Sequence, residues 1–499
     1  MVNATVTTPA LETKWEQYFK KYRENVVGHS AQLQGPYGPK TIIYADWIAS
    51  GRLYQPIEEK MSKELGPYVA NTHTETSYTG ALMTRAYSHA RGIIKRHANA
   101  TNNDVLITCG TGMTGAVLKL QRILGLKIPE QFKARLNIKE AERPVVFISH
   151  MEHHSNQTSW LETIATVEVI QANADGLLDL EHLKFLLEKY QERPFKVASI
   201  TSASNVTGVF TPYHQVAKLM HAQGGWCFVD FACSGPYVDI DMHPANADEK
   251  LDAIFFSPHK FLGGPGTPGI LIFNKELYKN KVPDHPGGGT VSWTNPWGGH
   301  AYFTDIEVRE DGGTPGFLQT MRAAMVMRLK EEMTTEAIEQ REENIINYVL
   351  HRLKALPNLH VLAGNITHRL GAISFFIDDC HYNLAVSLLN DLHGIQTRGG
   401  CSCAGTYGHY LLEVTEDYSN EITNLINHGD DSLKPGWVRL SLHPVMSNQE
   451  IKTICEGIEN VAKNWRDYGS QYYQPKGTNE FKHKSNVLVG EDLLKNWFS

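Results

Sequence analysis

Residues 226–264 read WCFVDFACSGPYVDIDMHPANADEKLDAIFFSPHKFLGG. Two short apolar runs stand out, WCFVDF at 226–231 and AIFFS at 253–257. The first closes on an acid, Asp230, and the second passes directly into Ser257-Pro258-His259-Lys260, with Gly263, Gly264 and Gly266 behind it. Runs this short and rich in Val, Ile and Phe predict buried strands. Similar runs lie on either side: DVLIT at 104–108, PVVFIS at 144–149, TVEVIQ at 166–171, KVASITS at 196–202 and GILIF at 269–273. Helical patterns separate most of them, so the fold class is α/β, with a mainly parallel seven-stranded sheet. Polar residues and glycines follow nearly every run, at the C-terminal strand ends where open α/β sheets place their ligands.

Beyond this core the sequence becomes loop-like around 281–316 and helical again from about 317, with strand-like runs AISFFID and WVRLSLH further on. The pattern predicts a large domain over 41–310 and a smaller α+β domain over 311–465. Residues 1–40 are expected to pack with the small domain, and 466–499 to form a polar tail or surface arm.

The chain has 499 residues, 41% of them apolar and 20% charged, with a net charge of −7. No basic block points to nucleic acid or an anionic membrane surface, so small-molecule chemistry is expected. The first residues lack a secretory pattern and no run approaches the ~20 apolar residues of a membrane span, which predicts a cytoplasmic protein. Seven cysteines without a regular spacing suit a reducing compartment. The sequons at Asn3, Asn99, Asn156, Asn205 and Asn365 then read as chance matches.

Several residues carry chemical promise. Lys260 follows a buried strand, although a lysine there also reads as a solvated loop charge. Asp230 ends a strand where an ionised acid needs a cation, although it also reads as a turn cap. The strand DVLIT enters Cys109-Gly110-Thr111-Gly112-Met113 ahead of a helix, a place where free N–H groups meet an anion. His153, in SHMEHHSN, is placed to stack on a flat ring. Adjacent His154 raises a metal site, but no third ligand has suitable spacing and none is expected. In TRGGCSCAG, Cys401 and Cys403 lie in a Gly-rich loop beside Arg398, and a nearby guanidinium favours a nucleophilic thiolate.

Taken in order, these motifs resemble the class V aminotransferase-like branch of pyridoxal-phosphate (PLP) enzymes, fold type I, and within it the cysteine desulfurases and selenocysteine lyases of the SufS-like group. The resemblance runs from about Tyr44 to about residue 460. YADWIASGR looks like the family's opening strand, TCGTGMTGAVL its phosphate loop and MEHHSN its ring-stacking histidine. It implies PLP on Lys260, with Thr111, Gly112, Ser257 and His259 at its phosphate, His153 on its face and Asp230 at its ring nitrogen. SNVTG gives Asn205 to cofactor and substrate, and Cys233 stands where the family has a Gln near the phenolic oxygen. GGTP gives Thr314 to the phosphate of a neighbouring subunit, which implies a homodimer. RGGCSC makes Cys403 the persulfide-forming thiol, and VRLSLH makes Arg439, with Arg398, the clamp on the substrate carboxylate.

The implied activity is removal of sulfur from L-cysteine, or selenium from selenocysteine, giving alanine and a protein persulfide that passes to an acceptor protein. Other readings are an aminotransferase, epimerase or C–S lyase without a persulfide step, a silent sulfur-carrier scaffold, or a molybdenum-cofactor sulfurase. Departures from the family pattern bear on these: Cys233 replaces the Gln, the phosphate loop lacks its second Thr, and the stretch from Cys403 to Arg439 is long.

Overall fold

The computed structural model describes residues 9–485 and 490–499. The Asn3 sequon and parts of the N-terminal segment and tail lie outside the described residues. The chain divides into two compact units, one of Ala49–Ser204 with Val209–Glu336, the other of residues up to Ile48, Asn205–Gly208 and everything from Ala337 on.

The larger unit is built on a seven-stranded sheet: β1 (Asp104–Cys109), β2 (Val145–Ser149), β3 (Thr166–Ile170), β4 (Lys196–Thr201), β5 (Trp226–Asp230), β6 (Ala253–Phe256) and β7 (Gly269–Asn274). Their order is β1-β7-β6-β5-β4-β2-β3. Strand β7 runs antiparallel to both its neighbours, and the other pairs are parallel. Every residue of β2, β4 and β6 is buried, as expected of a sheet covered on both faces. Each apolar run read from the sequence is one of these strands. Trp160, fully buried on the helix His154–Leu161, stacks on Phe228 of β5 and donates its indole N–H to Asn156 Oδ1 at 3.0 Å.

The helix Phe317–Met333 packs on Tyr78–His97 and buries Met321, Ala324, Val326 and Met327. That apolar face keeps it with the larger unit, which runs to Glu336.

The smaller unit carries an antiparallel sheet of β8 (Leu359–Val361), β9 (Ala372–Ile377), β10 (Arg398–Gly400) and β11 (Trp437–Ser441), in the order β8-β9-β11-β10. The helices Tyr382–His393 and Asn448–Gly469 pack together beside it, the second opened by a capping box between Ser447 and Glu450. Phe19 and Tyr22 of the N-terminal helix are buried here, and the Glu12 N–H donates to Asn344 Oδ1 at 2.9 Å. The polar C-terminal stretch also finds partners. Tyr472–Tyr473 pairs with Lys482–His483, Tyr472 donates to Asp391 Oδ2 at 2.6 Å, and Asn383 Nδ2 donates to Asn479 O at 2.7 Å. Among the described residues no helix is long and apolar enough to cross a membrane.

Glu342 is buried in this unit and accepts the Gly371 N–H at 2.6 Å. Burial pushes its carboxyl from 4.5 up to about 8, against the pull of that hydrogen bond. Because the folded value is the higher one, the contribution is full below about pH 4.5 and is lost as pH rises through about 8. Unfolding free energies from urea titrations across this window should fall with pH, with a slope from this group of at most about 1.4 kcal/mol per pH unit. Glu342→Gln should flatten the fall, and an unchanged slope would remove Glu342 as its source.

Candidate active site

In the larger unit the site grows from the ends of β1, β5 and β6. Strand β1 ends at Cys109, Thr111 is the exposed N-cap, and the helix Gly112–Ile123 begins at once. Gly112 has φ +61°, and a Cβ on it would stand 3.0 Å from Ser257 Oγ and 3.1 Å from His259 Cε1. Gly269 on β7 comes so near that its Cβ would fall 2.0 Å from Gly112 O. Both positions therefore require glycine, one for its backbone angle and one for close approach. The Met113 N–H donates to Ser257 Oγ at 2.8 Å, which fastens the helix N-terminus to the segment after β6. Burial, and then the charge of Lys260, push His259 down to about 4, so its ring is neutral at pH 7. Lys260 ends the short 3₁₀ turn Pro258–Lys260 and is half-buried.

Asp230 closes β5 at 3% exposure and accepts the Ala232 N–H at 2.7 Å. Burial pushes its carboxyl up to about 6, opposed by that hydrogen bond and by the positive charge of Lys260. A second buried acid, Glu152, accepts from Ser149 Oγ at 2.5 Å, from Thr201 N–H at 2.8 Å and from Asn156 Nδ2 at 2.8 Å. Burial carries it up to about 8 despite these donors, and the charge of Asp230 adds to the rise. Glu152 thus ties together β2, β4 and the helix that opens at the next residues. There His153 is the N-cap, its Nδ1 accepting the Ser155 N–H at 3.1 Å. Cys233 is buried with its Sγ 3.6 Å from Ser204 O, and Thr314 is exposed in the loop ahead of Phe317–Met333. The glycine cradle at a helix N-terminus suits a phosphate, and the buried Asp230 suits a protonated ring nitrogen. A flat cofactor bearing both groups fits these residues.

The smaller unit gathers the remaining sequence-predicted residues. Arg398 on β10 and Arg439 on β11 are directly opposite in the ladder. Asp46 joins them: Arg439 Nη2 donates to its Oδ1 at 2.6 Å and Arg398 Nε to its Oδ2 at 3.0 Å. Arg439 is 3% exposed and also donates to Asn205 O at 3.2 Å, while Asn205 Nδ2 donates to Ser402 O at 2.8 Å. Among the described residues Arg439 Nε, Asn205 Oδ1 and Ser402 Oγ are buried without a hydrogen-bond partner, an unusual concentration of unmet polar atoms. The loop after β10 is strained, with Ser402 at φ +50° and Cys403 at φ +57°, angles that side chains other than glycine adopt at a cost of about 1 kcal/mol or more. Cys403 is exposed there. Cys401 is half-buried and lines a cavity of about 120 Å³ with His409, Leu412, Ile422 and Trp437.

Two charged residues of these clusters, Asp46 and Glu152, were not singled out from the sequence. Both lie inside recognised stretches, YADWIASGR and MEHHSN. The signal available was the one that marked Asp230, an acid at an apolar strand or its end, which needs a partner once buried.

The aminotransferase class-V family model matches residues 43–454, and the chain belongs to that family. A protein of Staphylococcus aureus named probable cysteine desulfurase is 27% identical over 371 residues, 73% of this chain and 84% of its own. One of Halalkalibacterium halodurans with the same name is 27% identical over 369 residues, with the same coverage of 73% and 84%. In structure, the cysteine desulfurase of Thermococcus onnurineus superposes with a TM-score of 0.71 at 21% identity, over 89% of this chain and 98% of that one. The cysteine desulfurase CsdA of Escherichia coli gives 0.68 at 19%, with the same coverage. The fold is thus that of the type I PLP enzymes.

Proposed function

We propose that this chain is a PLP-dependent cysteine desulfurase, which moves the sulfur of L-cysteine to Cys403 and releases alanine. The observation that carries this reading is Cys403 itself. Of the seven cysteines, all described and none in a disulfide, it alone is exposed, and it sits at a strained turn beside the strand of Arg398. Exposure lets a thiolate reach a substrate sulfur and hand it on.

In this reading Lys260 holds the cofactor through Nζ and Asp230 faces its ring nitrogen. Thr111, Gly112, Ser257 and His259 take its phosphate, His153 its face and Cys233 its phenolic edge, and Asn205 reaches cofactor and substrate. PLP, when bound, supplies a ring that draws electrons from the Cα of an amino acid. The chain's own residues do the rest. Arg439 and Arg398 bind the substrate carboxylate by charge-assisted hydrogen bonds. Lys260 Nζ takes the Cα proton. The Cys403 thiolate attacks the substrate sulfur, an S–S bond forms as the Cβ–S bond breaks and leaves its electron pair on the carbon side, Cβ gains a proton, and Lys260 returns a proton to Cα. Alanine and a Cys403 persulfide result. Selenocysteine would react in the same way through selenium.

The same reading assigns Thr314 to the phosphate site of a second copy, so the working form is a homodimer. Seven cysteines, none of them in a disulfide, support a reducing compartment, the cytoplasm, where an acceptor protein takes the persulfide sulfur. Incubation with L-cysteine and a reductant, followed by measurement of alanine and sulfide, tests the proposal. Equal yields of the two are expected, and absence of alanine would refute the desulfurase reading.

A further inference from the structure

Two arginines directly opposite in an antiparallel ladder repel one another, their Cβ atoms only about 5 Å apart. Arg398 and Arg439 stand in this relation, and the single carboxylate of Asp46 answers both, one oxygen to each. The Asp46 side chain is 13% exposed and that of Arg439 3%, so solvent screens their pair weakly, whereas that of Arg398 is 49% exposed. The cluster therefore carries two positive charges and one negative, a net of +1. Arg439 is not saturated: Nη1 and Nη2 are engaged, while its buried Nε is among the polar atoms without a partner. The nearby Ser402 Oγ, which can donate, shares that condition, while the unpartnered Asn205 Oδ1 is an acceptor suited to an ammonium N–H. The cluster is built to receive one further acceptor-bearing, singly charged group.

We propose that Asp46 is the specificity-setting residue of this arginine pair, holding its net charge at +1 so that it accepts an amino acid with one carboxylate and an uncharged side chain and disfavours a dicarboxylate. The proposal rests on the carboxylate role given to Arg439 and Arg398 above. With a monoanionic ligand the cluster becomes neutral, and a second carboxylate leaves a surplus negative charge facing Asp46. Selectivity by an unmatched like charge is a recognised route to discrimination. Asp46 touches neither the reacting atoms nor the cofactor in this account and acts through the arginines, as a positioning residue.

The test is equilibrium binding of L-alanine and L-aspartate to the purified holoenzyme by calorimetry, which reads no turnover. Wild type should bind L-aspartate about tenfold or more weaker than L-alanine, and Asp46→Asn should shrink that ratio by about tenfold, equivalent to ~1.4 kcal/mol. Asp46→Glu should restore the wild-type ratio. The double variant D46N/R398Q, which returns the net charge to +1, should also recover the preference. A merely structural role for Asp46 predicts instead that D46N weakens both ligands alike and leaves the ratio unchanged, and that result overturns the proposal. So does a double variant that keeps the D46N ratio. Binding of neither ligand by wild type would overturn it together with the arginine clamp. The alanine assay above judges the desulfurase reading separately, since a chain that makes alanine with an unaltered binding ratio fails only here.

Discussion

Replacing Lys260 with alanine should lower alanine formation from L-cysteine by about 10⁴-fold, the upper end of what a positioned proton-transfer group contributes. Lys260 is held by a 3₁₀ turn directly after β6, and its N–H is fixed to Ser257 O at 3.0 Å, so the side chain leaves the backbone at a defined place. Its positive charge acts on both Asp230 and His259. On the proposed reading, removing it takes away the covalent anchor and the group that moves the Cα proton. Arginine at 260 should fare no better, because a guanidinium keeps the charge but does not give up its proton near neutral pH. The same substitution to alanine removes a pull on Asp230, whose carboxyl should then titrate above its present value of about 6. Alanine chromatography, bound-cofactor content and the pH titration together check this. Activity within about tenfold of wild type would refute the assignment of Lys260 as the proton-transfer group.

Cys403→Ala should abolish the persulfide and reduce alanine formation from L-cysteine by about 100-fold or more, while cofactor content stays at the wild-type level. The thiol is exposed in a loop of positive φ angles outside the larger unit that holds Lys260 and Asp230, so its removal leaves the cradle intact. Intact mass after brief exposure to L-cysteine should reveal an extra sulfur on wild type and none on the variant. Cys401→Ser should keep the extra sulfur, because Cys401 is turned to a small apolar cavity of its own unit. An aminotransferase, epimerase or C–S lyase has no use for Cys403 as nucleophile. Full turnover in the Cys403→Ala variant would therefore decide for one of those chemistries.

Much of the larger unit was legible because its signals are local. Each strand is a short apolar run, and the residue that ends it, Asp230 or Ser257, falls at the sheet's C-terminal edge by the direction of the chain alone. The place of the helix Phe317–Met333 was less legible, since it belongs with the larger unit only through the apolar face it buries. The polar stretch after Gly469 has no periodicity to reveal that Tyr472 reaches Asp391 or that Asn383 holds Asn479.

By itself, then, the sequence determined the seven strands of the larger sheet, the place of Lys260 and Asp230 at strand ends, and the glycine-rich turn at Thr111 and Gly112. Those features depend on neighbours a few residues away. Only the tertiary structure decided that Ser257 and His259 close on Gly112, that Ser402 and Cys403 are held at positive φ, and that Asp46 stands between Arg398 and Arg439. Asp46 lies 352 residues from one arginine and 393 from the other. Such a charge triad is set by strand register and burial, which no local pattern of residues records.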